Sequence, residues 1–129
     1  MNRKKKGKRQ SAPRPKISQR ILEFAGDFIS LGKAPKEKQN YLNAACVAWN
    51  IASAAAERRG KLVDQFLAEY RRHNPSTEEA ALAAILSDME HLIEVKLKMF
   101  PHDLRQIVGA RYIQTQDGER IEAAAATFE

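Results

Sequence analysis

Apolar residues recur at intervals of three and four along most of the chain, which is the spacing of a helix that buries one face. A first such segment begins at Ser18, a residue type that caps helices, and stops at Gly32. A second begins at Pro35, because proline is favoured in the first turn of a helix. The apolar positions are Ile21, Leu22, Ala25, Phe28 and Ile29, and then Tyr41, Leu42, Ala45, Cys46, Trp49 and Ala52. The pattern predicts two amphipathic helices, the second rich in alanine.

The following segment predicts two more helices. The polar residues 57–60 mark a turn or a kink, and an apolar stripe then leads to the basic run 71–73 at the negative end of a helix. Ser76 and Glu79 have the spacing of a capping box, which predicts that a long helix starts there. Pro101 ends this helix or opens a short helical turn that Gly109 closes. The two stripes are Leu62, Val63, Phe66, Leu67 and Tyr70, and then Leu82, Ile85, Leu86, Met89, Ile93, Leu97 and Phe100.

The C-terminal segment 110–126 is compatible with two structures. Residues 111–115 have an extended pattern, and Asp117-Gly118 is a strong signal for a two-residue hairpin turn. Alternatively, Asp117 caps an alanine-rich helix. We favour the hairpin, which would place Tyr112, Ile121, Ala123 and Ala125 on one face.

Positive charge is concentrated in residues 1–16. This segment holds eight basic residues and no acidic one, whereas residues 17–129 hold the other 14 basic residues against all 16 acidic ones, a net charge of −2. Glycine, prolines and mutual repulsion of the charges argue against a folded structure here, so we predict a disordered basic arm. A clustered charge acts on partners rather than on solubility alone. The basic residues of the arm are Arg3, Lys4, Lys5, Lys6, Lys8, Arg9, Arg14 and Lys16.

The arm favours association with nucleic acid. Lysine and arginine at this density neutralise phosphates and release counterions, so we expect all eight basic residues to contact RNA, DNA or a ribonucleoprotein. The arm has no aromatic side chain to stack on bases, which predicts binding without sequence preference. The alternative is a helical interaction or assembly module that binds a protein partner or a second copy through its body. The arm would then be a solubilising tail or a targeting signal.

Size and composition predict a single helical domain over residues 17–129. A chain of 129 residues with 43% hydrophobic residues can bury a core without disulfides, and its one cysteine indicates no oxidising compartment. No apolar run is long enough to cross a bilayer, so we expect no membrane partner. We expect a soluble cytoplasmic protein, or a nuclear one in a eukaryote, where residues 4–9 would serve as an import signal.

Candidate chemistry is sparse, and we expect a non-enzymatic protein without a cofactor. Cys46 lies among small apolar residues in the second helix, which predicts a buried, inert thiol. Asp88, His91 and Glu94 stand three apart on the fourth helix, the basis of a third hypothesis, a small metal-dependent enzyme. No second motif of this kind occurs, and a solvated polar face is the better explanation. Trp49 is predicted to be a core anchor.

The overall prediction is a mainly α fold. About four principal helices form a small bundle with a short C-terminal β-hairpin, preceded by the disordered basic arm of residues 1–16.

Overall fold

The computed structural model describes residues 16–126. It confirms the predicted fold class, because four helices are followed by one antiparallel hairpin. The elements are α1 (Ile17–Ile29), α2 (Pro35–Ala52), α3 (Ala56–His73), α4 (Glu79–Met99), β1 (Gln106–Thr115) and β2 (Gly118–Ala126). Within these residues no helix has both the length and the apolar character that a membrane span requires.

The core is formed by α1, α2 and α4 together with one face of the hairpin. Its largest fully buried apolar side chains are Trp49, Ile21, Leu42 and Met89. Helix α3 contributes much less, since Val63 is its one buried residue among those described. Its remaining apolar stripe is half-buried, and a cleft of about 530 Å³ opens between its second half and the other three helices. Helix α3 is therefore the least firmly packed part of the bundle.

Two predicted helix starts are wrong, each by two residues at the N-cap. Helix α1 begins at Ile17, with Lys16 in the capping position, so Ser18 lies inside the first turn. Helix α4 begins at Glu79 and its N-cap is Glu78, which makes no side-chain capping bond. The Ser76 capping box therefore does not form. Instead the hydroxyl of Thr77 donates to the carbonyl of Asn74, 2.8 Å away, and turns the chain before the helix starts.

Residues 57–60 were predicted to be a turn or a kink and are neither. They form the first turn and a half of α3, and the chain reverses direction earlier, at Ser53–Ala55. The amide of Ser53 bonds to the carbonyl of Trp49, 3.0 Å away, and the Ser53 hydroxyl reaches the same carbonyl. Polar residues suit this first turn because it faces solvent, and Glu57 there complements the positive end of the helix.

The predicted apolar stripes contain many of the buried positions but not all of them. Phe24 in α1 and Ala48 and Ile51 in α2 are buried without belonging to a predicted stripe. Leu22, expected in the core, is 51% exposed, because the packed face of α1 is centred on Ile17, Ile21 and Phe24. In α4, Leu92 and Lys96 are buried although neither belonged to the predicted stripe. The helices are packed on more than one side, which a single stripe does not describe.

The segment after α4 makes a single turn and then runs extended. Helix α4 ends at Met99 as Pro101 predicts, and in the turn that follows the Asp103 amide donates to the Phe100 carbonyl at 3.3 Å. No helix continues to Gly109, which lies within β1. The register shifts between Ile107 and Gly109, where Val108 forms a β-bulge and is exposed. The bulge keeps Ile107 on the same face as Ala110, so the core-facing side of β1 is continuous across the irregularity.

The hairpin and its apolar face are confirmed, but the pairing is shifted by two residues from the register that an Asp117-Gly118 loop would give. Tyr112 lies opposite Ile121, and Ala110 opposite Ala123. Thr115 pairs with Gly118, so the two loop residues are 116 and 117, one position earlier than the turn dipeptide suggested. Gly118 has a φ of +130°, a conformation that side chains rarely adopt.

Helix α2 holds the outer edge of β1 through two amide side chains. The Asn50 carboxamide accepts from the amide of Ile107 at 2.7 Å and donates to the carbonyl of Ile107 at 3.0 Å. Gln39 accepts from the amide of Tyr112 at 2.8 Å and donates to the carbonyl of Ala110 at 3.2 Å. Gln39 and Asn50 are three helical turns apart, roughly 16 Å, which matches five residues of a strand. The hairpin consequently runs along α2 in a defined register.

Candidate functional site at the root of the basic arm

The basic arm joins the body at the N-terminus of α1. Of the eight predicted nucleic-acid contacts, Lys16 alone lies within the described residues, where it is exposed. Its carbonyl accepts the amides of Gln19 and Arg20, which starts the helix. The other seven, Arg3 to Arg14, lie outside the described residues, as does the predicted disorder of residues 1–15. The body residues around Lys16 therefore define the part of the candidate site that the structure describes.

Arg20 is the next basic residue after the arm and lies one turn into α1. Its guanidinium lies 4.2 Å from the centre of the Phe100 ring, an arrangement that attracts a cation to the face of the ring. One of its nitrogens is 3.9 Å from a carboxylate oxygen of Asp103. The side chain remains 21% exposed and lines a surface cavity of about 270 Å³ together with Pro101 and His102. Arg20 thus places positive charge at the surface beside Lys16.

Asp103 is the carboxylate around which this region is organised. Its side chain is 5% exposed, and Arg105 binds both of its oxygens, at 2.9 and 2.6 Å. Burial acts to raise the pKa of Asp103, but the hydrogen bonds and charge of Arg105, with a smaller contribution from Arg20, hold the pKa below its ordinary value. Asp103 thus binds two arginines from different parts of the chain.

Lys96 is a fully buried cation that the sequence pattern did not indicate. Its ammonium donates to the backbone carbonyl of Asp103 at 2.6 Å and lies 4.8 Å from the centre of the Trp49 ring. Burial lowers the pKa of Lys96, and the nearby positive charges of Arg59 and Arg20 lower it further, while Asp103 partly opposes the shift. The bond from Lys96 fastens the segment after α4 onto the core.

Trp49 is confirmed as a core anchor. The side chain is fully buried, meets Phe24 edge to face at 5.6 Å between ring centres, and lies 6.0 Å from Phe100. Its indole nitrogen donates to the carbonyl of Arg105 at 2.8 Å, which satisfies the polar atom of an otherwise apolar residue. Trp49 and Lys96 together position residues 103–105 from the inside.

The charge balance of this cluster is positive. Three cations lie around Asp103: Arg20 and Arg105 pair with its carboxylate, and Lys96 bonds its backbone carbonyl. Lys96 is inaccessible, so the charge that a partner can reach is that of Arg20, next to the exposed Lys16. Sequence reasoning missed Arg20 because it is an isolated basic residue within an amphipathic helix. Pro101, which ends α4, is the one local sequence signal that the residues after α4 turn back towards Arg20.

Helix α3 carries two further groups of basic residues, at 58–61 and 71–73, and the second group is largely neutralised by glutamates. Arg71 forms an ion pair with Glu79 at 3.2 Å, and both Arg72 and His73 contact Glu69. Arg58 and Lys61, at the other end of the helix, are exposed. The field of the 71–73 run is therefore much weaker than its sequence suggests.

The residues considered for catalysis or metal binding do not come together into a catalytic or metal-binding site. Asp88, His91 and Glu94 are all exposed on α4, and among residues 16–126 no three histidine, cysteine or acidic side chains lie close enough to hold a metal ion. Cys46 is half-buried within α2 next to the core, and burial raises the pKa of its thiol to about 12. A thiol in that state is a poor nucleophile at neutral pH.

Asn43 and Asn50 lie two turns apart on α2 and make different hydrogen bonds. Asn43 is exposed and accepts a bond from Gln39 at 2.8 Å. Asn50 instead bonds a strand, as described above. Both positions therefore serve the attachment of the hairpin, Asn50 directly and Asn43 by orienting Gln39.

No protein-family model matches the chain, and no curated protein or solved structure matches it. The described residues define a class of protein, a four-helix domain with a C-terminal antiparallel hairpin. What bears on function is the charge of residues 1–16 and the geometry at the point where they join the body.

Proposed function

We propose that this protein is a non-enzymatic accessory protein that associates with RNA, DNA or a ribonucleoprotein through its basic N-terminal arm. The observation that carries the proposal is the presence of eight positive charges and no negative charge in the first 16 residues. Each phosphate that such a segment neutralises releases condensed counterions, which gives affinity for any nucleic acid.

The body supports this proposal at the arm root. Lys16 is exposed and Arg20 is partly exposed one turn further along α1, so positive charge continues from the arm onto the folded surface. The first turn of α1 holds no acidic residue, which leaves the positive end of that helix uncompensated. The arm and this root would therefore contact phosphates as one continuous basic surface.

The rest of the body contributes little electrostatic attraction. Residues 17–129 carry a net charge of −2, and the 71–73 run is paired with glutamates. Binding is consequently expected to reside in the arm, while the folded body is free to contact a protein component of a larger complex.

The experiment is a salt titration of binding to duplex DNA and to single-stranded RNA, using the full-length chain throughout. If six to eight arm charges engage a duplex, the logarithm of affinity falls against the logarithm of salt concentration with a slope of about −5 to −7. An arm variant replaces five basic residues by glutamine, namely Lys4, Lys5, Lys6, Lys8 and Arg9. We expect the slope of this variant to be less steep by about 4 to 5, and its affinity at low salt to be mostly lost.

A matched variant separates the effect of the arm on binding from the effect of the net charge of the protein. It replaces five exposed basic residues of the body by glutamine, Lys33, Lys36, Arg58, Lys61 and Lys98, and so lowers the net charge equally. The slope of this variant should change by less than about 1. Equal losses in both variants, or weak binding by the wild type, would refute the proposal and leave the helical interaction or assembly module as the better interpretation.

A further inference from the structure

The outer edge of β1 is occupied by side chains of α2, whereas the outer edge of β2 packs beside α1 and its outward backbone groups receive no hydrogen bond from any described residue. Gln39 and Asn50 bond the backbone groups of Ile107, Ala110 and Tyr112 that point away from β2. Those three residues therefore belong to the non-hydrogen-bonded pairs of the hairpin ladder.

The register of the hairpin determines which backbone groups of β2 point outward. Ile107, Ala110 and Tyr112 lie opposite Ala125, Ala123 and Ile121. The amides and carbonyls of these three β2 residues must therefore point away from β1, towards the outer edge. Among the described residues, no hydrogen bond outside the ladder uses them.

This edge lacks three of the features that prevent strand pairing, although its first half carries the charged residues Glu119, Arg120 and Glu122. Strand β2 contains no proline, no lysine and no bulge, and its second half is four consecutive alanines. Beside it, Leu22 of α1 is half-exposed and lines, with Ile121, a small cavity of about 150 Å³. An open edge next to an exposed leucine is a surface that another strand would cover.

The charges along β2 match those of a second β2 strand running antiparallel. If a two-fold axis passes through Ile121, Arg120 lies opposite Glu122 of the second copy, and Glu122 opposite its Arg120. Both side chains are on the solvent face, 60% and 44% exposed. Within one copy Arg120 contacts Glu122 at 3.1 Å and Glu122 also binds Arg111 at 2.8 Å, so the pairs to the second copy would extend an existing charge network. In this register Ile121 faces Ile121 and Ala123 faces Glu119, so the outward backbone groups of the two strands meet. Moving the axis by two residues to Ala123 places alanines opposite both charged residues and loses the complementarity.

We propose that the chain forms a symmetric dimer in which the β2 strands of two copies pair antiparallel about Ile121, making one four-stranded sheet. Two cross-strand Arg120–Glu122 pairs select the register, and Leu22 of each copy lies beside the new interface. This inference is independent of nucleic-acid binding, since it uses no residue of the arm.

The test uses charge-reversal variants of the full-length protein, which exploit the two-fold symmetry of the proposed dimer. Sedimentation velocity over a range of concentrations measures how strongly each variant dimerises. We expect the wild type to dimerise reversibly. Arg120→Glu places glutamates opposite each other twice, and Glu122→Arg does the same with arginines, so each variant alone should dimerise at least about tenfold more weakly. In an equimolar mixture the two variants have complementary edges and should form a heterodimer of roughly wild-type affinity.

A backbone variant tests the edge itself. Ala123→Pro removes an amide that points outward and leaves the ladder with β1 intact, so the variant should keep its circular dichroism spectrum and become monomeric. A wild type that stays monomeric at the highest concentration overturns the proposal. So does a dimer that persists in both charge-reversed variants, which would place the contact on another surface such as the arm or the α3 cleft.

Discussion

The bond between Asn50 and Ile107 offers the sharpest test of how the hairpin is held. Asn50→Ala removes a carboxamide that satisfies both the amide and the carbonyl of one residue in β1. Alanine keeps the helix and creates no clash, so the change reports on the two hydrogen bonds.

The magnitude follows from the two backbone groups left without partners. Each unsatisfied group costs about 1–3 kcal/mol when water cannot reach it. The two bonds are only partly buried, so water can hydrogen-bond the freed backbone groups and reduce this cost. Alanine also stabilises the helix by up to about 0.7 kcal/mol relative to asparagine, because its helix propensity is higher. We expect a net loss of about 1.5–3 kcal/mol, a large share of the roughly 5–15 kcal/mol by which a domain is stable.

Urea denaturation followed by Trp49 fluorescence measures the loss, and hydrogen exchange at the Ile107 amide localises it. The matched control is Asn40→Ala, on the same helix, because Asn40 is exposed and its side chain makes no hydrogen bond to a described residue. The control should be neutral or slightly stabilising. If both variants lose the same stability, or if Ile107 exchanges equally fast in wild type and Asn50→Ala, the amide does not hold the strand and the reasoning is refuted.

Two further predictions concern buried titratable groups. With a pKa of about 12 against an ordinary value of 9.0, Cys46 holds about a thousandfold less thiolate in the native state. A thiol reagent near pH 8 should therefore label it far more slowly than in urea, and a native rate within tenfold of the unfolded rate would contradict this. Asp103→Asn should lower the free energy of unfolding by about 2–4 kcal/mol at neutral pH, because it leaves Arg105 without its carboxylate. The control is Glu79→Gln, which breaks an exposed ion pair and should change the free energy of unfolding by less than about 1 kcal/mol. Since the native pKa of Asp103 is lowered, its contribution is present above the ordinary value of 3.8 and is lost as pH falls through the native pKa. The gap in melting temperature between wild type and Asp103→Asn should then narrow in acid, and a constant gap would argue against an ionised native carboxylate.

Much of the architecture could be predicted because its causes are local. Apolar residues at helical spacing indicate helices wherever they occur, and the glycine after a short polar turn indicates a hairpin through backbone geometry alone. The burial of Trp49 and the inertness of Cys46 follow from neighbours within one helix. The cluster of charge in residues 1–16 is likewise a property of adjacent residues, so the hypothesis of nucleic-acid binding needs no fold.

The exact helix starts were harder to predict, because the competing choices differ by little free energy. Ser18 and Ser76 are good caps in isolation, yet Lys16 and Glu78 occupy the N-cap positions without any side-chain bond. Packing of Ile17 into the core moves the start of α1 two residues further towards the N-terminus, and burial of such a side chain outweighs a single capping bond.

Only the tertiary structure decided which distant residues meet. Asp103 is far in sequence from Arg20, and Asn50 is 57 positions from Ile107, so no local spacing signals either contact. Lys96 is buried because Trp49 and the carbonyl of Asp103 surround it, although a lysine read from sequence belongs in solvent. The open edge of β2 is likewise a result of packing, since α2 covers the edge of β1 and leaves the other one. Local chemistry therefore determined the elements and the charged arm, whereas the pairing of remote polar groups determined how the elements are joined and which surfaces remain available for partners.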